Sequence, residues 1–293
     1  VFFFAEAIGQ LLFDSSQWTT PIRVVGLSLP LVLLTTFWLA IYNGLEQFKT
    51  IVLVQLVSSI LVFIVTISLI YFQAIDGAIW AIALSELLMV LATFLFVIKD
   101  KRFFQFKLRF LIKKDYLIAI QKFSAMALLS AIIVPLTLLL IRNNITAGYS
   151  LPEAGLWEAT TKLSSFYMHF FNAGLSLYYM PKLASLQTES EFKQELMGYF
   201  STFVPLFLIM LLVLFFVKEW VLELIFTTEF LKIKSVLIWQ FIGDFFKIIT
   251  LAFGYQILVK ARLKVYFFLE IAFNVSYLLL SFFWIKTQGY EGA

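Results

Sequence analysis

Three sets of polar residues recur at helical spacing inside otherwise apolar sequence. Glu158, Lys162, Ser165, His169, Asn172, Ser176 and Tyr179 follow one another at intervals of 4, 3, 4, 3, 4 and 3, which puts all seven on one face of a helix. Gln240, Asp244 and Lys247 repeat the 4 and 3 spacing, and Glu270, Asn274, Tyr277 and Ser281 run at 4, 3 and 4. In a membrane, an ionisable group turned toward hydrocarbon is costly, so such faces must look onto protein or a water-filled cavity. Glu158 and Lys162 stand one turn apart and can simply neutralise each other. The stripe runs on well past that pair, which favours a lined cavity. Asp244 and Lys247 form either a structural clip or a titratable switch, since a buried pair holds or loses charge as its surroundings become wet. Lys247 lies 12 residues from either end of the apolar segment 235–259, too deep to snorkel easily to an interface. Glu86 stands by itself and reads as a satisfied structural contact. His169 reads as a hydrogen-bonded helix contact before a proton relay.

Catalysis has no comparable signature. There is no Gly-rich phosphate loop, nucleophile elbow or His/Asp constellation. Zero cysteines and one histidine exclude a disulfide scaffold and a Cys-ligated metal, and make a His-based metal site improbable. No cofactor is expected. The net charge of +4 does not call for nucleic acid, because the basic residues follow the membrane's own charge rule.

The elements that carry these residues follow from composition. The 293 residues are 62% hydrophobic, 18% aromatic and only 14% charged, against about 45–50% apolar and about 25% charged for a soluble domain. A disordered chain is excluded by 35 Phe, 12 Tyr and 7 Trp. Eight segments reach the roughly 20 apolar residues needed to cross a bilayer: 24–43, 51–72, 77–98, 121–141, 155–181, 199–217, 235–259 and 263–285. A further stretch, Val1 to Phe13, is too short and reads as the tail of another helix. The runs are dense in Leu and Ile and lack the alternation of a membrane barrel. The fold class is therefore all-α, a polytopic transmembrane helix bundle. Pro30, Pro135 and Pro205 interrupt three of the helices, as kinks that let halves rock or as static bends.

Lysine and arginine orient the bundle. Connections after the helices ending at 43, 98, 181 and 259 hold 14 of the 22 basic residues, Lys122 among them. The opposite side holds 6, including Arg23 and Arg142, and Lys162 and Lys247 lie within helices. The richer side should be cytoplasmic. Segment 99–122 alternates Lys/Arg with Phe, Leu and Ile, and suits a connector lying on an anionic inner leaflet or one that binds a lipid head group. Ile75-Asp76-Gly77-Ala78 and Tyr290-Glu291-Gly292-Ala293 share an acidic-Gly-Ala pattern six helices apart. That spacing suits a duplicated six-helix unit, as in many transporters. On this reading both ends are cut, and the chain is a piece of a protein of about twelve helices.

Several stretches carry a family resemblance. Gly155-Leu156-Trp157, Lys162-Leu163-Ser164, Tyr167 and Leu177-Tyr178-Tyr179-Met180-Pro181-Lys182-Leu183 resemble the eighth helix of the Wzx-type polysaccharide flippases. The likeness is to the branch that handles enterobacterial common antigen (lipid III) and O-antigen. Phe226-Thr227-Thr228-Glu229-Phe230, then Trp239-Gln240-Phe241-Ile242-Gly243-Asp244-Phe245-Phe246-Lys247, are similar to that branch's ninth-to-tenth helix region. Gly254-Tyr255, Lys260-Ala261 and Glu270 continue the likeness. It implies the multidrug/oligosaccharidyl-lipid/polysaccharide exporter fold, two six-helix lobes around a central cavity. Residues 1–98 would be the end of helix three to helix six, 99–120 a basic cytoplasmic connector, and 121–293 helices seven to eleven. Position 162 varies in the branch, so Lys162 would tune cargo preference.

The resemblance also implies the cargo, an undecaprenyl-pyrophosphate-linked oligosaccharide moved from the cytoplasmic to the periplasmic leaflet of the bacterial inner membrane. Its charged head needs a wet, cationic route while its tail stays in the lipid bilayer. Lys162 and Lys247, supported by Arg23, Lys122 and Arg142, are the candidates for that route, with Glu158, His169 and Asn172 lining it. Asp244 and Glu270 are candidates for binding H⁺ or Na⁺ to bias alternating access. Partners would include a polysaccharide polymerase and chain-length proteins, but no nucleic acid. Two competing readings are a cation-coupled drug exporter of the same superfamily, which the central lysines oppose, and a membrane polymerase or ligase, which should carry a large external loop.

Overall fold

The computed structural model describes residues 1–293 apart from Asp14, Glu46, 101–113 and Gln187. Every regular element among the described residues is helical: α1 (Ala5–Phe13), α2 (Thr19–Gly44), α3 (Phe48–Lys99), α4 (Lys114–Gly148), α5 (Leu151–Gly174), α6 (Met180–Ser185), α7 (Glu189–Ile225), α8 (Leu237–Val259) and α9 (Leu263–Gln288). A π-helical turn, Leu175–Tyr179, joins α5 to α6, and 3₁₀ turns follow α7 and α9 at Thr228–Ser235 and Gly289–Gly292. This is an all-α polytopic membrane bundle. Six of the helices are long and apolar enough to cross a membrane. α5 is not among them, because Glu153, Glu158 and Lys162 lower its hydropathy. Much of the basic segment 99–122 falls in 101–113, outside the described residues; α4 already begins at Lys114.

The chain divides into two compact units, Val1–Phe110 and Leu111–Ala293. In the first, α3 contains two of the expected spans. Its backbone leaves the helical region at Ala74 (φ 48°, ψ −120°). A Cβ placed on Gly77 would run into the Leu69 carbonyl, although eight residues of unbroken helix would separate them by about 12 Å. The two limbs of α3 therefore fold back on each other, and only glycine fits where they start. Small residues fill the helix contacts of this unit, with Ser28, Thr35, Ala81, Ala83, Ala92 and Thr93 all buried. Leu27, Leu33 and Tyr71 stand exposed, as expected where backbones approach closely and large side chains face lipid.

The second unit has a larger aromatic core between α5, α7 and α8. Phe171 meets Phe207 edge-on at 4.8 Å and Tyr179 lies 5.0 Å from Tyr199. The Tyr199 hydroxyl donates to the Ile248 carbonyl at 2.7 Å. Local signals start the helices. Ser150 accepts from the Glu153 N–H to cap α5, and Thr188 with Glu191 forms a reciprocal capping box on α7. Pro30, Pro135 and Pro205 lie inside α2, α4 and α7. At the far end of α4, the Tyr149 hydroxyl donates to the Ile285 carbonyl at 2.6 Å and ties α4 to α9.

Candidate functional site

α4 and α5 are joined by the short turn at Tyr149 and Ser150, so they run back along each other. That turn brings Arg142 to Glu158. Arg142 Nε lies 3.7 Å from Glu158 Oε2, and Lys162 Nζ lies 3.3 Å from Glu158 Oε1. Two cations share one carboxylate, leaving a net positive charge. Glu158 sits seven residues past Leu151, about 10 Å below that end of α5. The three side chains are 46%, 39% and 67% exposed for Arg142, Glu158 and Lys162. Ion pairs this open contribute little to stability, and the remaining donors of Arg142 and Lys162 make no bond to a described side chain.

The rest of the stripe follows its expected course up to its last member. Ser165, His169 and Ser176 are exposed and Asn172 is half-buried, but Tyr179 is fully buried against Tyr199. The π-helical turn at Leu175–Tyr179 accounts for the difference, because one extra residue in a turn rotates everything after it. It lies just before Pro181, which supplies no N–H to the preceding turn. The stripe is thus six residues long. His169 makes no hydrogen bond to a described side chain, contrary to the helix contact expected of it.

A second polar cluster occupies the opposite side of α5. Asp244 of α8 is 2% exposed. Its Oδ2 accepts from Ser164 Oγ at 2.6 Å, from the Tyr167 hydroxyl and from Gln240 Nε2 at 3.1 Å. The expected Asp244–Lys247 pair is not formed. Asp244 lies on the arc of α8 that packs with Phe241 and Ile248, and three donors already fill its oxygen. Lys247 is exposed and makes no ion pair with a described residue. Ser164 and Tyr167 were not among the expected site residues. Their spacing is that of ordinary core positions, and nothing local announces that a carboxylate from a helix 80 positions away will meet them.

Glu270 belongs to a third group, between α4 and α9. Ser130 Oγ donates to Glu270 Oε1 at 2.8 Å and lies 2.6 Å from the Tyr266 hydroxyl, and the Asn274 side chain donates to the Glu270 carbonyl at 2.9 Å. Asp244 and Glu270 share no hydrogen-bond partner among the described residues. Arg23 and Lys122 are exposed without an ion pair to a described residue. Of the predicted residues, the fold therefore gathers Arg142, Glu158 and Lys162. Glu86, expected to be a satisfied contact, is exposed, makes no hydrogen bond or ion pair with a described residue, and lines a groove. Glu195 of α7 sits 2.6 Å from Lys182 of α6 and, by accepting its hydrogen bond, raises the amino group above the usual lysine range. Among the described residues no three His, Asp or Glu side chains cluster as a metal site would require.

Comparison with known proteins adds a relationship to this geometry. The Lipid III flippases of Escherichia coli strain K12 and Shigella flexneri are each 25% identical over 174 residues, which is 59% of this chain and 42% of theirs. The match thus spans well under half the length of these curated relatives. No solved structure matches the chain. A family model described as polysaccharide biosynthesis protein matches residues 1–235, a span that takes in the folded-back limbs of α3, the Arg142–Glu158–Lys162 group and the polar stripe. The chain belongs to the polysaccharide biosynthesis protein family.

Proposed function

We propose that the protein is a flippase of the bacterial inner membrane. It moves an undecaprenyl-pyrophosphate-linked oligosaccharide, an O-antigen or enterobacterial common antigen repeat unit, from the cytoplasmic to the periplasmic leaflet. The observation that carries this reading is the Arg142–Glu158–Lys162 group, with two cations to one anion and half-open side chains. A pyrophosphate offers the acceptors those donors lack, and charge-assisted bonds of this type are about twice as strong as neutral ones. Glu158 holds Arg142 and Lys162 together between loads and yields them when a stronger anion arrives. The exposed Ser165, His169 and Ser176 continue the polar track along α5. The kinship with Lipid III flippases supports the cargo class.

Alternating access between two six-helix lobes, of which 1–98 would supply the end of helix three to helix six and 121–293 helices seven to eleven, would release the head group on the far side while the polyprenyl tail stays in lipid. Lys247, Arg23 and Lys122 are further cationic contacts on that route. Glu270, reached through Tyr266 and Ser130, is the better placed of the two acids for taking up H⁺ or Na⁺, since Asp244 is 2% exposed and its Oδ2 already accepts from three donors. The protein performs no covalent chemistry, and it would hand its cargo to a polymerase and chain-length proteins.

The test is made in cells deleted for the intact gene. The undecaprenyl-linked oligosaccharide is probed with a periplasmic glycan-modifying enzyme. Accumulation on the cytoplasmic face, relieved by the wild-type gene and not by Arg142→Gln/Lys162→Gln or Lys247→Ala proteins present at normal level, is the expected outcome. Periplasmic delivery of unpolymerised units in the deleted cells would place the step after translocation.

A further inference from the structure

Within the first unit, the two limbs of α3 border an open groove of about 450 Å³, its wall largely apolar through Val62, Phe63 and Met89 and edged by the polar Ser58, Ser59, Ser85 and Glu86. Its volume falls in the range of small-molecule sites and is far larger than a cage for a bare ion. Glu86 lies nine residues past Gly77 and thirteen before Lys99, hence about 14 Å and about 20 Å along the helix from those ends, close to mid-bilayer. A carboxylate there is tolerated only where it meets protein or water, and Glu86 has no partner among the described residues. Water in the groove would meet that requirement.

Its chemistry is that of an acceptor. Ser58 Oγ and Ser85 Oγ spend their hydrogens on the Val54 and Ile82 carbonyls, at 2.7 Å and 2.8 Å. Their oxygens are left to accept, and an ionised carboxylate only accepts. A pyrophosphate would be repelled by Glu86. The fitting ligand is rich in donors and has an apolar face for Phe63, which describes a sugar ring with its hydroxyls. We propose that this groove is a glycan subsite, with Glu86 as the residue that selects which sugar is carried. The phosphate-binding charges lie in the second unit and the sugar-reading acceptors in the first, so head-group charge and glycan identity are recognised by different parts of the chain. This inference rests on the flippase reading above.

The chain has no cysteine, so Ser59→Cys, in a cysteine-free background of the full protein, gives a single reporter thiol, with Ser85→Cys as an independent second reporter on the other limb. Right-side-out and inside-out membrane vesicles are treated with a charged methanethiosulfonate. The vesicles come from cells that make the undecaprenyl-linked glycan or from cells lacking its first glycosyltransferase. The expected result is labelling from an aqueous side, at least about fivefold slower when glycan is present. Adding Glu86→Gln should bring the rate within about twofold of the glycan-free value. Failure of both thiols to react in either orientation, or equal rates with and without glycan, overturns the proposal. So does protection by tetraphenylphosphonium where the glycan gives none, since that marks an organic-cation site. Delivery of glycan by the unsubstituted protein in the same cells is scored separately. Its absence defeats the flippase reading, whereas normal delivery with unprotected thiols defeats only the subsite.

Discussion

On one side of α5, Glu158 and Lys162 meet Arg142 across half-exposed ion pairs. On the other, Ser164 and Tyr167 reach a carboxylate that is 2% exposed. Both clusters join α5 to a neighbour, and both would be described as polar groups inside a membrane protein. They differ in what is left over. The first has more cation than anion and open donors, so it can exchange its internal bonds for bonds to a ligand. The second has three donors on one oxygen and no opening to solvent, so its bonds are committed to holding α5 against α8. Polarity within a membrane bundle is thus no guide to ligand binding until the partners are counted.

The comparison breaks most visibly at Asp244. Asp244→Ala strands Ser164, Tyr167 and Gln240 without their shared acceptor, and should cost on the order of 3 kcal/mol of stability. A fall in the detergent thermal midpoint and in the yield of folded protein would register it, while an unchanged midpoint would mean that the cluster does not hold the helices. Next comes Arg142→Gln/Lys162→Gln, which should reduce glycan delivery about a hundredfold, from two charge-assisted contacts each worth about a factor of ten, with the midpoint unmoved. Tyr167→Phe removes one donor and leaves the acceptor served by two others, so a loss of about 1 kcal/mol is expected in the same unfolding experiment. Smallest is the stability effect of Lys162→Ala, within about 0.5 kcal/mol of wild type. A large destabilisation there would make the open cluster structural after all and erase the distinction.

Much of this was legible along the chain. Long apolar runs fix where helices cross, and the 4,3 spacing puts Glu158 through Asn172 on one face, because helical periodicity is a local property. The Glu158–Lys162 pair is local too, one turn apart. Arg142 joins them through a short turn, a near-neighbour consequence of chain order. The failures share one cause. Asp244 and Lys247 are three residues apart, and their spacing alone could not say that one would turn toward Ser164 and Tyr167 while the other faced outward. Glu86 read as a satisfied contact, but the groove between the limbs of α3 leaves it exposed and without a bond to a described residue. Tyr179 belonged to the stripe by arithmetic until a π-turn before Pro181 rotated it inward.

By itself the sequence determined the class of molecule and most of its apolar helices, since these depend on the free energy of residues in lipid or water, position by position. Family kinship followed from the same linear order. Only the tertiary structure decided which polar groups are spent on one another and which remain available. That choice depends on side chains from distant helices competing for the same few donors and acceptors, and no local pattern encodes the outcome.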